Sequence, residues 1–150
     1  MHRILFVCHG NICRSPMAEF VMKKMVADAR IAGDFEIASA ATSTEEIGNG
    51  VYPPVRRLLE ADGIDCSGHR ARQITMDDYR RYDCIVLMDT NNMNNIRRII
   101  GQDVQHKVCR LLDYTDTPGD IADPWYTRDF ELTWQQVHAG CRALLKKLSR

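Results

Sequence analysis

The chain predicts an α/β fold: a single three-layer domain over residues 1–150, with a four-stranded parallel sheet flanked by helices. Three observations carry that expectation. Short continuous apolar runs, the mark of strands buried on both faces, alternate with stretches of helical periodicity. No repeat, low-complexity segment or Pro/Gly/Ser-rich linker divides the chain. Its 150 residues are also enough to bury a continuous core without disulfide or metal staples.

The elements follow in order. Ile4–Val7 reads as the first buried strand. From Ser15 to about Arg30 the pattern is helical, with Pro16 at the first helical position and Met17, Phe20, Val21 and Met25 on one face. Residues 35–39, "FEIAS", form a second strand. Residues 53–63, "PPVRRLLEADG", form a helix opened by proline and closed by Gly63. A short helix precedes the third strand, "YDCIVLMD" at 82–89. A helix over 91–101 ends in glycine, and "KVCRLLD" at 107–113 is the fourth strand. Tyr114 to Thr127 is a loop punctuated by Pro118, Gly119 and Pro124. The last helix carries the cleanest stripe: Phe130, Trp134, Val137, Cys141, Leu144 or Leu145, and Leu148.

Twenty basic and twenty acidic residues cancel to a formal net charge of zero. That balance argues against a nucleic-acid face or an acidic tail but leaves room for a small anion site. Six cysteines, at 8, 13, 66, 84, 109 and 141, do not read as a secreted disulfide framework in a chain this rich in core formers. The four-residue apolar run before Cys8 is too short for a signal-peptide core, and no later stretch reaches membrane-spanning length. A soluble protein of the reducing cytoplasm is expected, with no nucleic-acid or membrane partner.

In parallel sheets of this kind ligands bind beyond the carboxyl ends of the strands. Three candidate segments then share one edge: Cys8 to Ser15, Asp89, and the 114–127 loop. The first, "CHGNICRS", joins a strand to a helix amino terminus, where unpaired N–H groups and the helix dipole favour an anion. Gly10 lets the backbone turn tightly, and Asn11 tolerates the left-handed conformation such cradles need. Arg14 can grip two phosphate oxygens at once. The same field favours the thiolate of Cys8, its reactive form. His9, Gly10, Asn11, Ile12, Cys13, Arg14 and Ser15 thus make a phosphate-binding loop above a nucleophile, a device for phosphoryl transfer through a phosphocysteine. Ser15 is placed to hydrogen-bond the sulfur and help it leave. A packed core cysteine would explain Cys8 alone, but not the glycine, asparagine, arginine and serine that accompany it. Neither a Walker A nor a GxGxxG pattern occurs.

"VCHGNICRSPMAE" resembles the amino-terminal signature of the low-molecular-weight protein tyrosine phosphatases, C-x5-R-S-P. The resemblance extends through "SAATS" (39–43), "ARQIT" (71–75), "LMD" (87–89) and "DPWY" (123–126). It implies a phosphoric monoester hydrolase acting on a phosphotyrosine-bearing protein or an aryl phosphate, with no cofactor and no metal. The leaving oxygen needs a proton that a thiolate cannot give, and the resemblance assigns that role to Asp123, with Cys8 and Arg14 as its catalytic partners. Taken alone, Asp123-Pro124 is an ordinary turn. The resemblance also implies a supporting network of Ser15, Asn11, Glu19, Ser39 and His69, with Asp89 beneath Arg14 or the loop. A capping histidine and a structural turn are the residue-level alternatives for His69 and Asp89. Cys13 is a packing residue or, by resemblance, the partner of a reversible disulfide with Cys8.

Two positions depart from the family. His9 stands where an apolar residue is usual, and Glu45 where an aromatic commonly flanks the substrate ring. With Trp125 and Tyr126 they are expected to form the substrate rim, Glu45 repelling acidic peptides. A monomer, or weak self-association through that rim, is the expected state. Two other readings compete. A thioredoxin-coupled arsenate reductase would need a further close pair of cysteines, and Cys84 and Cys109 are well separated. A zinc module could use Cys8-x4-Cys13 and Cys66-x2-His69, which would leave Arg14 unexplained.

Overall fold

The computed structural model describes residues 1–149. Ten regular elements follow one another: β1 (His2–Cys8), α1 (Arg14–Asp28), β2 (Phe35–Ala41), α2 (Pro53–Ala61), α3 (Met76–Arg81), β3 (Cys84–Leu87), α4 (Thr90–Ile100), β4 (Val108–Arg110), α5 (Pro124–Thr127) and α6 (Phe130–Leu148), with 3₁₀ turns at Ala32–Asp34 and Leu111–Tyr114. The four strands form one sheet in the order β2-β1-β3-β4. All three pairings are parallel, with Cys8 level with Ala41 and Val7 level with Leu87. The expected α/β architecture is the one observed.

β1 is central because both of its faces are apolar. Ile4, Phe6 and Cys8 enter the core shared with α1, α2 and α6. Leu5 and Val7 enter the opposite core, with Tyr79, Tyr82, Ile96 and Ile100 from α3 and α4 and the residue that follows α3. Period-two alternation along one strand therefore feeds two helical layers.

Several boundaries move, each for a local reason. The first two strands run longer than their apolar runs, since parallel pairing extends from His2 to Cys8 and from Phe35 to Ala41. β3 stops at Leu87 because Asp89 turns to cap α4, accepting the Asn92 N–H at 2.7 Å. β4 ends at Arg110, where Asp113 accepts the Arg110 N–H at 3.1 Å and winds the next residues into a 3₁₀ turn. In α1 the helix starts at Arg14, so Pro16 is its third residue, still in the turn where a missing N–H costs nothing. The buried face of α1 includes Met17, Ala18, Val21, Met22 and Val26, while Phe20 and Met25 are only half-buried. The 114–127 loop contains an unexpected one-turn helix, opened by Asp123 and Pro124.

α6 packs across α1 and the 3₁₀ turn, and Gly140 sets how closely. A Cβ at Gly140 would lie 2.4 Å from Leu111 Cγ, and Leu111 is fully buried. Gly140→Ala should therefore destabilise the protein by about 1–3 kcal/mol through overpacking, despite the better helix propensity of alanine. Urea unfolding would show a lower midpoint at unchanged slope. Gly68→Ala, which meets nothing within 4 Å, should shift stability by less than about 0.5 kcal/mol.

Candidate active site

At the carboxyl end of β1 the chain turns through residues 9–13 into α1. Cys13, the residue before α1, does not cap it with its side chain. Instead the sulfur of Cys8 sits at the helix amino terminus, accepting the Ser15 N–H at 3.4 Å and the Asn11 N–H at 3.3 Å. The Ser15 hydroxyl lies 3.0 Å from the same sulfur. These donors, with the partial positive charge of the helix end, favour negative charge on Cys8 Sγ.

The loop is held by hydrogen bonds directed away from its hollow. Asn11 has φ 61°, the left-handed region its side chain tolerates. Its Oδ1 accepts the Arg72 N–H at 3.1 Å, so the amide nitrogen must point the other way, donating to Ser15 Oγ at 2.8 Å and Ser39 Oγ at 2.9 Å. Ser39 in turn donates to Glu19 at 2.5 Å, and Glu19 pairs with Lys23. The Ser15 hydroxyl, which accepts from Asn11, has two acceptors for its own proton, the Cys8 sulfur at 3.0 Å and the Ala40 carbonyl at 3.4 Å. His69 Nε2 donates to the Asn11 carbonyl at 2.7 Å, with Phe20 edge-on to the ring. Gly10 is not left-handed. A Cβ there would meet Glu46 Cγ only at ordinary contact distance, 3.4 Å.

Arg14 is 2 % exposed. Its Nη1 donates to Asp89 at 2.6 Å and to the Ile121 carbonyl at 2.8 Å, while Nη2 lies 3.4 Å from Asp123. Burial alone would lower the Arg14 pKa; Cys8, Asp89 and Asp123 more than offset it, so the pKa is raised and the charge is secure. Nη1 carries both hydrogen bonds, so Nε and Nη2, the latter facing Asp123, are the nitrogens through which Arg14 can meet an anion. Asp123 caps α5 by accepting the Trp125 N–H at 3.0 Å.

These groups line a cavity of about 120 Å³, bounded by the loop residues Cys8, His9, Gly10, Ile12, Cys13 and Arg14 and by Glu45, Glu46, Asp123, Trp125 and Tyr126. His9 Nε2 meets Glu45 Oε2 at 2.9 Å, so the two unusual residues of the sequence contact each other. Ser43 ties their segments together, its N–H and hydroxyl both donating to the His9 carbonyl. Burial pushes the Cys13 thiol up, and Cys8 and Asp123 add to the shift. All six cysteines are free. Cys84 lies level with Ile4, at the other end of the sheet from Cys8. Among the described residues no group of three or more His, Cys, Asp or Glu side chains could hold a metal ion, and no helix is long and apolar enough to cross a membrane. Sequence reasoning passed over Glu46, the Arg72 amide, Tyr52 and Ile121, whose places depend on loop paths that leave no local signal.

Asn11→Ala should lower stability by about 2–4 kcal/mol, from a left-handed alanine and orphaned buried partners. Asn11→Gly should recover about 1 kcal/mol of that. Neither variant should bind vanadate as wild type does, by competition or calorimetry. Normal affinity in Asn11→Gly would show that the side-chain network does not shape the loop.

The model of the low molecular weight phosphotyrosine protein phosphatase family matches residues 3–150. The low molecular weight protein-tyrosine-phosphatase YfkJ of Bacillus subtilis is 36% identical over 152 residues, covering 100% of this chain and 97% of YfkJ. The YfkJ crystal structure matches with a TM-score of 0.95, over 99% of this chain and 95% of that one. The human low molecular weight phosphotyrosine protein phosphatase is 43% identical over 155 residues, covering 96% of this chain and 94% of the human one. The structure of DARP, a Drosophila arginine phosphatase, matches with a TM-score of 0.88 at 25% identity over 98% of each chain.

Proposed function

The chain belongs to the low molecular weight phosphotyrosine protein phosphatase family, and from that premise we propose that it hydrolyses phosphotyrosine in proteins, and other aryl phosphates, at Cys8. The observation that carries this reading is the position of Cys8 Sγ, which lines a cavity together with Arg14 and accepts N–H bonds from Asn11 and from Ser15 in the first turn of α1.

The Cys8 thiolate attacks phosphorus in line, forming the S–P bond as the ester P–O bond breaks. Loop amides and Arg14 hold the three equatorial oxygens, where charge is spread in the transition state. Asp123, protonated, gives its proton to the departing phenol. Water then attacks the phosphocysteine with Asp123 as base, and the S–P bond breaks to return the thiolate, eased by the Ser15 hydroxyl. Trp125, Tyr126 and Ile12 offer an apolar approach suited to a flat ring. Cys8 must stay reduced for this chemistry, which suits a cytoplasmic setting.

The rim also carries charge. Glu45 and Glu46 both line the cavity, and Glu45 pairs with His9. Peptides with basic residues beside phosphotyrosine should be preferred, and Glu45→Gln should shrink the kcat/KM ratio between basic and acidic peptides several-fold. An unchanged ratio would leave Glu45 without that role.

Hydrolysis of an aryl phosphate should persist in EDTA, vanish in Cys8→Ser and be blocked by vanadate. kcat/KM should rise and then fall with pH, since Cys8 must be ionised while Asp123 is protonated. Asp123→Asn should lower kcat/KM for phenyl phosphate by about 10²–10³. Equal rates on phosphoarginine and phosphotyrosine peptides would contradict the aryl preference.

A further inference from the structure

The helix that Asp123 opens has only four residues, too few to hold its own shape in water. Its other end is Arg128, with φ 61° and its N–H donating to the Pro124 carbonyl at 2.9 Å. Glycine or asparagine normally fills such a left-handed cap. An arginine held there against its backbone preference points to a use for its side chain.

Although Arg128 is exposed, the end of its side chain is engaged. Both terminal nitrogens donate to the Tyr52 hydroxyl at 3.2 Å, and Nη1 reaches the Trp125 carbonyl at 3.5 Å. The guanidinium lies 5.6 Å from the Tyr52 ring centre and 5.2 Å from that of Phe130. Tyr52 packs on Trp125 at 4.9 Å and stacks with Phe130 at 6.0 Å. Tyr52 is itself fastened to the phosphate-binding loop, its N–H donating to the Ile12 carbonyl at 2.9 Å. A continuous path thus runs from Ile12 through Tyr52 and Arg128 to α5 and Asp123. Arg128 does not line the cavity.

We infer that Arg128 is a positioning residue for the proton-donating Asp123, clasping the one-turn helix α5 to Tyr52 so that the carboxyl group meets the leaving oxygen. The inference rests on the assignment of Asp123 as general acid. Glycine at 128 suits the left-handed backbone better than arginine does, so Arg128→Gly removes the clasp without straining the turn.

The test is kcat/KM across aryl phosphates whose leaving phenols range from strongly acidic to unactivated, for wild type, Arg128→Gly, Asp123→Asn and the double variant. Only poor leaving groups need the acid. Arg128→Gly should lose about tenfold on phenyl phosphate and less than about twofold on the most activated ester, at a melting temperature no lower than wild type. The double variant should lose no more than Asp123→Asn alone. If Asp123→Asn shows the leaving-group dependence and Arg128→Gly matches wild type throughout, the clasp is overturned and the acid assignment stands. A uniform loss across all esters in Arg128→Gly also overturns it, since a general structural role would act that way. If Asp123→Asn itself behaves as wild type, the acid assignment fails and the clasp with it.

Discussion

A guanidinium buried to 2 % exposure is stable only where the protein replaces the water it has lost. Arg14 obtains that replacement from segments that meet nowhere in the sequence. Asp89 comes from the end of β3, and the Ile121 carbonyl and Asp123 from the segment beyond β4. Those partners reach Arg14 because β1 lies beside β3, with β4 next in order. Ile121 is held in turn by its N–H bond to the Met88 carbonyl, one residue before Asp89. Sheet order, loop path and buried charge are thus a single constraint. The charge also sets what the cavity favours, because Arg14 lines it together with Cys8.

Around that charge the loop is tied on its outer side by hydrogen bonds to other segments. Donors aimed at a common hollow repel one another, so the loop must be pulled outward. Asn11, Ser39, Glu19, His69 and the Arg72 amide do this through short buried hydrogen bonds. The arrangement suits phosphoryl transfer, where little is asked beyond placing charge and holding the reactants in line. The acid side is built differently. Asp123 sits at the start of one turn of helix, whose Trp125 packs on Tyr52, rather than within a network of buried hydrogen bonds.

The parts of this site that could be read from the sequence are those that are close in the chain. Cys8, Asn11, Arg14 and Ser15 fall within eight residues, and a strand-to-helix junction dictates their chemistry. Asp123, Asp89, Ser39, Glu19 and His69 came from resemblance, since their residue types alone fit turns and caps equally well. Gly10 lies in the bend between β1 and α1, as expected, but without the left-handed backbone that Asn11 adopts. The contact between His9 and Glu45 was not legible, although both had been singled out, because 36 residues separate them. Arg128 gave no signal at all: its backbone angle and aromatic neighbours exist only once α2 and α6 have packed. Strand ends were misplaced where a side-chain carboxylate, Asp89 or Asp113, captured the backbone and stopped the ladder.

The central claim is that phosphate passes through the sulfur of Cys8 under the grip of Arg14. The most direct measurement is to mix the protein with an aryl phosphate, quench in the steady state, and map the phosphoryl group by mass spectrometry. The account predicts one phosphoryl group, on the peptide containing Cys8, in wild type and none in Cys8→Ser. Rapid release of the phenol with no label on Cys8, or a label on another residue, would contradict it.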